Sequence, residues 1–216
     1  MKKIAVVLSG CGYLDGSEIY EATFTLLALD EAEAMVQCFA PDIPQMHVIN
    51  HLNGEVMPEQ RNVLVEAARL TRGAISPLSQ ADAAQFDGLI IPGGYGAAKN
   101  LSNFATAGSA MQLQPNVLAF AQAMHQAGKP IGLVCIAPAM APRIADAGVR
   151  YTIGNDPQTA AAIDAMGGKH VDCAVTDCVI DNERKIVSTP AYMYPARLSE
   201  ARAGIQKLVQ AVLKMA

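Results

Sequence analysis

The chain has 216 residues, of which 51% are hydrophobic and 5% aromatic, with a formal net charge of −4 and no tryptophan. That length supports a sizeable core. The acidic balance and scarce aromatics argue against a phosphate-tracking or base-stacking surface, so no nucleic-acid partner is expected. No apolar run approaches the roughly 20 residues that span a bilayer, and the five cysteines, odd in number and scattered, suggest neither a disulfide framework nor a metal site.

The opening MKKIAVVLSGCG has the charge of a signal peptide but too short an apolar run. It suits a first strand, and a cytoplasmic location is the expectation. Residues 4–8 form that strand, followed by the turn Ser9-Gly10-Cys11-Gly12. Ser17 is placed to cap a helix through residue 34, with Thr25, Leu26 and Leu29 facing the core. Residues 35–40 read as a second strand. Strand, helix, strand is the unit of a parallel sheet covered by helices. The turn is not G-x-G-x-x-G, and Cys38-Phe39 leave no acidic residue after the second strand, so a dinucleotide cofactor is not expected. Residues 41–58 read as an irregular excursion. Its His47 and His51 are spaced for one helical face but lack a third ligand, and a polar loop is the plainer reading.

Residues 59–71 look helical, 75–78 extended, and 80–84 a short helix or turn. The apolar strand 87–91 runs into Pro92-Gly93-Gly94-Tyr95-Gly96 and on to Lys99-Asn100. Glycines this dense after a parallel strand allow close backbone approach and leave N–H groups for an anion or oxyanion. A P-loop is excluded because neither Ser nor Thr follows Lys99. Helical segments at 103–107 and 115–127 lead to the strand 131–134, Cys135, and a helix over 139–147 stopped by Gly148. Beyond it, 151–153 is extended, 157–166 helical, 171–180 and 185–189 have strand propensity, and 198–213 is an amphipathic helix. No repeat or linker interrupts the chain, so one domain over residues 1–216 is expected.

Cys135 lies where a buried strand turns directly into a helix, a bend whose free N–H groups favour a thiolate or hold a developing oxyanion. An inert core cysteine is the alternative. Glu18 and Glu21 follow the first strand, on the sheet end where such folds build sites. A carboxyl beside a thiolate stays protonated and couples an acid/base group to a nucleophile. Ile136 leaves no adjacent histidine, and sequence does not bring His125 or His170 to the sulfur. Tyr192 follows a late strand.

The segments MKKIAVVLSGCGYLDGSEIYEA, CFAPDIPQMHVINHLNGE, RNVLVEAARLTRG, IIPGGYGAAKNLSNFA, GKPIGLVCIAPA and STPAYM resemble the ElbB family over essentially the whole chain. This group of isoprenoid-biosynthesis ("enhancing lycopene biosynthesis") proteins lies in the PfpI-like, class I glutamine-amidotransferase-like superfamily. The resemblance implies a flavodoxin-like three-layer α/β/α sandwich with a mostly parallel sheet. It implies glutathione-independent conversion of glyoxal to glycolate, and of methylglyoxal to lactate, with Cys135 as nucleophile and no cofactor. The superfamily glutamate that touches the sulfur falls on the segment Ser17–Glu21, where counting forward to Leu26-Leu27 favours Glu21 and leaves Glu18 as the alternative. Gly93, Gly94 and Ile136 are the expected oxyanion segment, and Tyr95, Asn100 and Tyr192 the expected substrate contacts. A small α-oxoaldehyde is the expected partner, with a homodimer as the assembly. Ile136 in place of a histidine, and the lack of a late-strand histidine, turn the chain away from protease and amidotransferase chemistry. A deglycase acting on early glycation adducts, or a cysteine-based stress sensor, are the alternatives.

Overall fold

The computed structural model describes all residues from Met1 to Ala216. The chain begins with β1 (Lys3–Val7), α1 (Ile19–Glu31), β2 (Met35–Ala40), α2 (Val63–Ala67) and β3 (Ile75–Pro77). It continues with β4 (Gly88–Ile91), α3 (Tyr95–Lys99), α4 (Phe104–Ala107), α5 (Pro115–Gln126) and β5 (Ile131–Val134). Next come α6 (Ala141–Ile144), β6 (Arg150–Tyr151), α7 (Pro157–Asp164) and β7 (Lys169–His170). The last elements are β8 (Val179–Asp181), β9 (Ile186–Thr189) and α8 (Leu198–Met215).

Seven strands form one sheet in the order β3-β2-β1-β4-β5-β9-β8, parallel except for the β8–β9 pair. A small second sheet pairs β6 with β7. The central strands are apolar throughout because both faces are covered. Alternate residues divide between two cores: Ala5, Val7, Leu89, Ile91, Ile131 and Leu133 face one, and Ile4, Val6, Ile90 and Val134 the other. Helix α5 closes the first core through Val117, Phe120 and Met124, and α1 and α8 close the second through Leu29, Leu208 and Val212. This is the expected three-layer α/β sandwich. The strand order reverses direction between β1 and β4, and the chain segments leaving β1, β4 and β5 meet at one end of the sheet, the usual site of a ligand crevice.

Several elements are shorter than periodicity predicts. Helix α1 starts at Ile19 with Glu18, not Ser17, as its cap. Ser17 is fully buried and its Oγ accepts the Ser9 N–H at 2.8 Å. The helix expected over 59–71 shrinks to α2, which Asn62 caps at the Val65 N–H. The excursion before it is irregular, tied by the bridges Pro44–Asn62 and Ile49–Val56. The helix expected over 139–147 becomes a 3₁₀ turn, Ala137–Met140, and α6, each opening on a proline in its first turn, and α6 ends where Ala145 turns extended (φ −105°, ψ 170°). Residues 171–178 stay outside the sheet, turned by local hydrogen bonds such as Cys178 N to Asp177 Oδ1.

Candidate active site

Cys135 follows β5 with φ +62°, a left-handed conformation that costs an L-residue about 1–2 kcal/mol. Its N–H donates to Thr189 O at 2.9 Å, which holds the elbow to β9. The backbone N–H groups of Gly94 and Ile136 lie beside the sulfur and favour its thiolate, and the Glu21 carboxyl adjoins it and disfavours the thiolate. Among non-glycine residues at positive φ, Cys135 and Ala191 are the two that are buried, and they follow the paired strands β5 and β9. Buried strain of this kind gathers where the surrounding structure holds a site in place.

Glu21 lies in the first turn of α1 and is fully buried. Its Oε2 accepts the Gly93 N–H at 3.0 Å and its Oε1 the Tyr192 N–H at 3.2 Å. Glu18, one turn earlier, caps the helix by accepting the Glu21 N–H at 2.6 Å. Three backbone hydrogen bonds hold this loop against the β4–α3 turn: Glu18 N to Gly93 O, Tyr95 N to Tyr13 O, and Gly96 N to Gly16 O. The N–H groups of Tyr95 and Gly96 are thereby occupied, while that of Gly94 lies beside the sulfur and favours its thiolate.

Burial pushes the Glu21 carboxyl up to about 8, with the Glu18 charge second, against the Tyr192, Cys135 and Gly93 hydrogen bonds that pull it down. Burial and then the Glu21 charge push the Cys135 thiol well above its ordinary value, and the Gly94 and Ile136 N–H groups pull it down. The shift of Glu21 governs the pair. Near neutrality its carboxyl keeps the proton, the charge repulsion on the thiol disappears, and the carboxyl O–H becomes a third donor to the sulfur. Glu18 is also raised, by burial, and its bonds from Glu21, Tyr20 and Ile19 oppose this.

Above the sulfur is a cavity of about 530 Å³ whose lining includes Glu18, Gly94, Tyr95, Cys135, Ile136 and Tyr192. No Lys, Arg or His lines it. A cavity of about 650 Å³ beside Arg143 is larger but shallow and contains none of these residues. Tyr95 lines the site with a half-exposed ring that lies under Lys99 Nζ. Tyr192 contributes its ring, and its hydroxyl is enclosed without a protein partner.

Two expected contacts fall elsewhere. Asn100 is a clamp on the loops: its Nδ2 donates to Ser9 O and Asp15 O at 2.9 Å each, and its Oδ1 accepts the Met46 N–H at 3.0 Å. A buried amide is used up by backbone partners this close, so it contributes nothing to the cavity. The Gly93 N–H is spent on Glu21, which removes it from the oxyanion donors. His47 and His51 share no helical face; His51 Nε2 accepts the Leu14 N–H at 3.3 Å and packs against Tyr13. Sequence reasoning missed the opposite wall, made by Tyr13, Phe104, Met193 and the start of α7 with Asp156 and Thr159. Asp156-Pro157 reads as a helix start, since Asp156 accepts the Thr159 N–H at 3.1 Å, but no local signal says what that helix faces.

The human glutamine amidotransferase-like class 1 domain-containing protein 3, mitochondrial, is 45% identical over 99% of this chain and 83% of its own length. The zebrafish ES1 protein, mitochondrial, is 34% identical over 98% of this chain and 85% of its own. These mitochondrial names overturn the cytoplasmic expectation, which rested on the short apolar run at residues 4–8, a feature that describes a strand and carries no address. A crystal structure of an isoprenoid biosynthesis protein with an amidotransferase-like domain from Ehrlichia chaffeensis superposes with TM-score 0.93 at 40% identity, covering 100% of this chain and 99% of that one. A DJ-1 superfamily protein from Salmonella typhimurium superposes with TM-score 0.58 at 25% identity, covering 99% and 88%. Residues 40–152 match the family model described as the C-terminal domain found in long catalases. The chain belongs to the ElbB and ES1 family of isoprenoid-biosynthesis, amidotransferase-like proteins in the DJ-1/PfpI-like superfamily, and shares the domain found at the C-terminus of long catalases.

Proposed function

We propose that the chain is a glyoxalase that converts glyoxal and water to glycolate, with Cys135 as its nucleophile. The observation that carries this reading is a buried Cys135 held at φ +62° on the wall of the cavity, with the Gly94 and Ile136 N–H groups and the fully buried Glu21 carboxyl beside its sulfur. The Cys135 thiol gives up its proton as its sulfur adds to one aldehyde carbon, and a hemithioacetal forms. The C–H proton of that carbon then leaves to a carboxyl base, and an enediol spans the two carbons. Return of the proton to the neighbouring carbon gives a thioester of glycolate. Water hydrolyses it, releasing glycolate and restoring the thiol. One carbon is oxidised as the other is reduced, so electrons balance within the substrate. The two N–H donors stabilise the oxyanion, where one such donor is worth about 3–4 kcal/mol.

The test is production of glycolate from glyoxal by the wild-type chain and by Cys135→Ala. A variant that keeps full turnover would sink the reading; the expected outcome is loss of at least about 100-fold. A second reading, repair of early glycation adducts, is favoured by the size of the cavity. Its roughly 530 Å³ far exceeds the space glyoxal fills and lies within the range of pockets that hold drug-sized ligands, about 300–1,000 Å³. Recovery of intact amine or thiol from the adduct identifies repair, and loss of free glyoxal alone identifies glyoxalase chemistry.

A further inference from the structure

We propose that the two glutamates divide the work: Glu18 is the catalytic base that moves the proton between the substrate carbons, and Glu21 is a positioning residue that acts through the sulfur. This rests on the glyoxalase reading above and names the base that it leaves open. The carboxyl expected to do the chemistry from its contact with sulfur is Glu21. It is fully buried, does not line the cavity, and has both oxygens committed to the Gly93 and Tyr192 N–H groups. A group so enclosed, outside the cavity's lining, is not presented to the space a substrate carbon would occupy. Glu18 lines the same cavity as Cys135 and is half-buried.

The other carboxylate on the cavity wall, Asp156, is the poorer base. Its Oδ2 accepts from both the N–H and the hydroxyl of Thr159, bonds that hold the carboxyl below its usual range. Glu18 is shifted the opposite way by burial, toward the range in which a base both accepts and returns a proton near neutrality. Glu18 is also absent from the groups that move the Cys135 thiol, whereas Glu21 both charges and hydrogen-bonds it. The proton removed from the hemithioacetal carbon is held on the Glu18 carboxyl and delivered to the adjacent carbon of the enediol, so the glutamate ends each cycle unchanged.

The experiment compares wild type, Glu18→Gln, Glu18→Asp and Glu21→Gln in two assays. One measures glycolate formed from glyoxal; the other measures the rate of Cys135 alkylation by iodoacetamide against pH. Asp is a strong helix cap, so Glu18→Asp keeps α1 closed while drawing the carboxylate back from the cavity. Expected for both Glu18 variants is at least a tenfold loss of kcat, together with build-up of Cys135 carrying the mass of one glyoxal. The alkylation profile is expected to be unmoved in Glu18→Asp, which keeps the charge beside Glu21, and moved less in Glu18→Gln than in Glu21→Gln. Glu21→Gln is expected to move the alkylation profile itself. A loss smaller than tenfold in both Glu18 variants, or a Glu18 variant that shifts the alkylation profile as Glu21→Gln does, overturns the assignment. A wild-type chain that makes no glycolate overturns the glyoxalase reading and the assignment with it, an outcome separate from failure of the Glu18 variants alone.

Discussion

Enclosing Glu21 gives the folded state a proton that the unfolded chain does not hold. The carboxyl titrates near its ordinary 4.5 when unfolded and at about 8 when folded. Between those values the native state binds more protons, so stability from this group is complete below 4.5 and lost as pH rises through about 8. The slope is about 1.4 kcal/mol per pH unit. Glu21→Gln removes the titration. The difference in denaturant midpoint between wild type and variant is therefore expected to shift steadily against wild type from about pH 5 to 8, in line with that slope. A difference that stays constant across this range would show that the buried carboxyl is ionised throughout.

At the scale of elements, the site is a meeting of three turns, and Gly93 is where they are tightest. A Cβ at Gly93 would lie 2.4 Å from Cys135 Cβ and 2.6 Å from Glu21 Oε2. Neither neighbour has room to move: Cys135 is pinned to Thr189 O, and Glu21 to two N–H groups. Gly93→Ala is expected to destabilise the protein by about 1–3 kcal/mol and to slow Cys135 alkylation. Thermal melting and thiol titration of the same sample check this, and unchanged values in both would refute the close packing. The next residue, Gly94, has φ +91°, and a Cβ there would lie 2.4 Å from both Glu18 N and Gly16 O, so only glycine fits.

Across the whole molecule, Asn100 links segments that are remote in sequence, joining the turn after β1, the excursion after β2 and the end of α3. Asn100→Ala leaves two carbonyls and one N–H without partners in a buried setting. The expected cost is about 2–3 kcal/mol, or about 5–10 °C in melting temperature for a chain of this size. Activity is expected to follow the folded fraction, because the side chain does not reach the cavity. A variant that melts like wild type but loses turnover would return Asn100 to the site.

Much of the architecture is legible in the residues themselves. Apolar runs at 4–8, 87–91 and 131–134, each followed by a glycine- or proline-marked turn and helical periodicity, already specify a parallel sheet with its loops at one end. Cys135 at the strand-to-helix bend marks the centre of the candidate site. Both signals are local, since covalent neighbours set turn and strand preferences. Residues spaced by three, such as Glu18 and Glu21, look equivalent on that basis. What separates them is depth: one turn of α1 sends Glu21 beneath the sulfur and leaves Glu18 on the cavity wall. That difference depends on Gly93, 72 residues away, and on Tyr192, 171 residues away. The same dependence on distant packing withdrew Asn100 from the site and brought the start of α7 to it. Sequence by itself determined the central strands, the long helices and which end of the sheet carries the chemistry, because those follow from local preference and hydrophobic period. Only the tertiary structure decided which carboxyl touches the sulfur and which faces the cavity, because that is fixed by the close packing of segments that share no local signal.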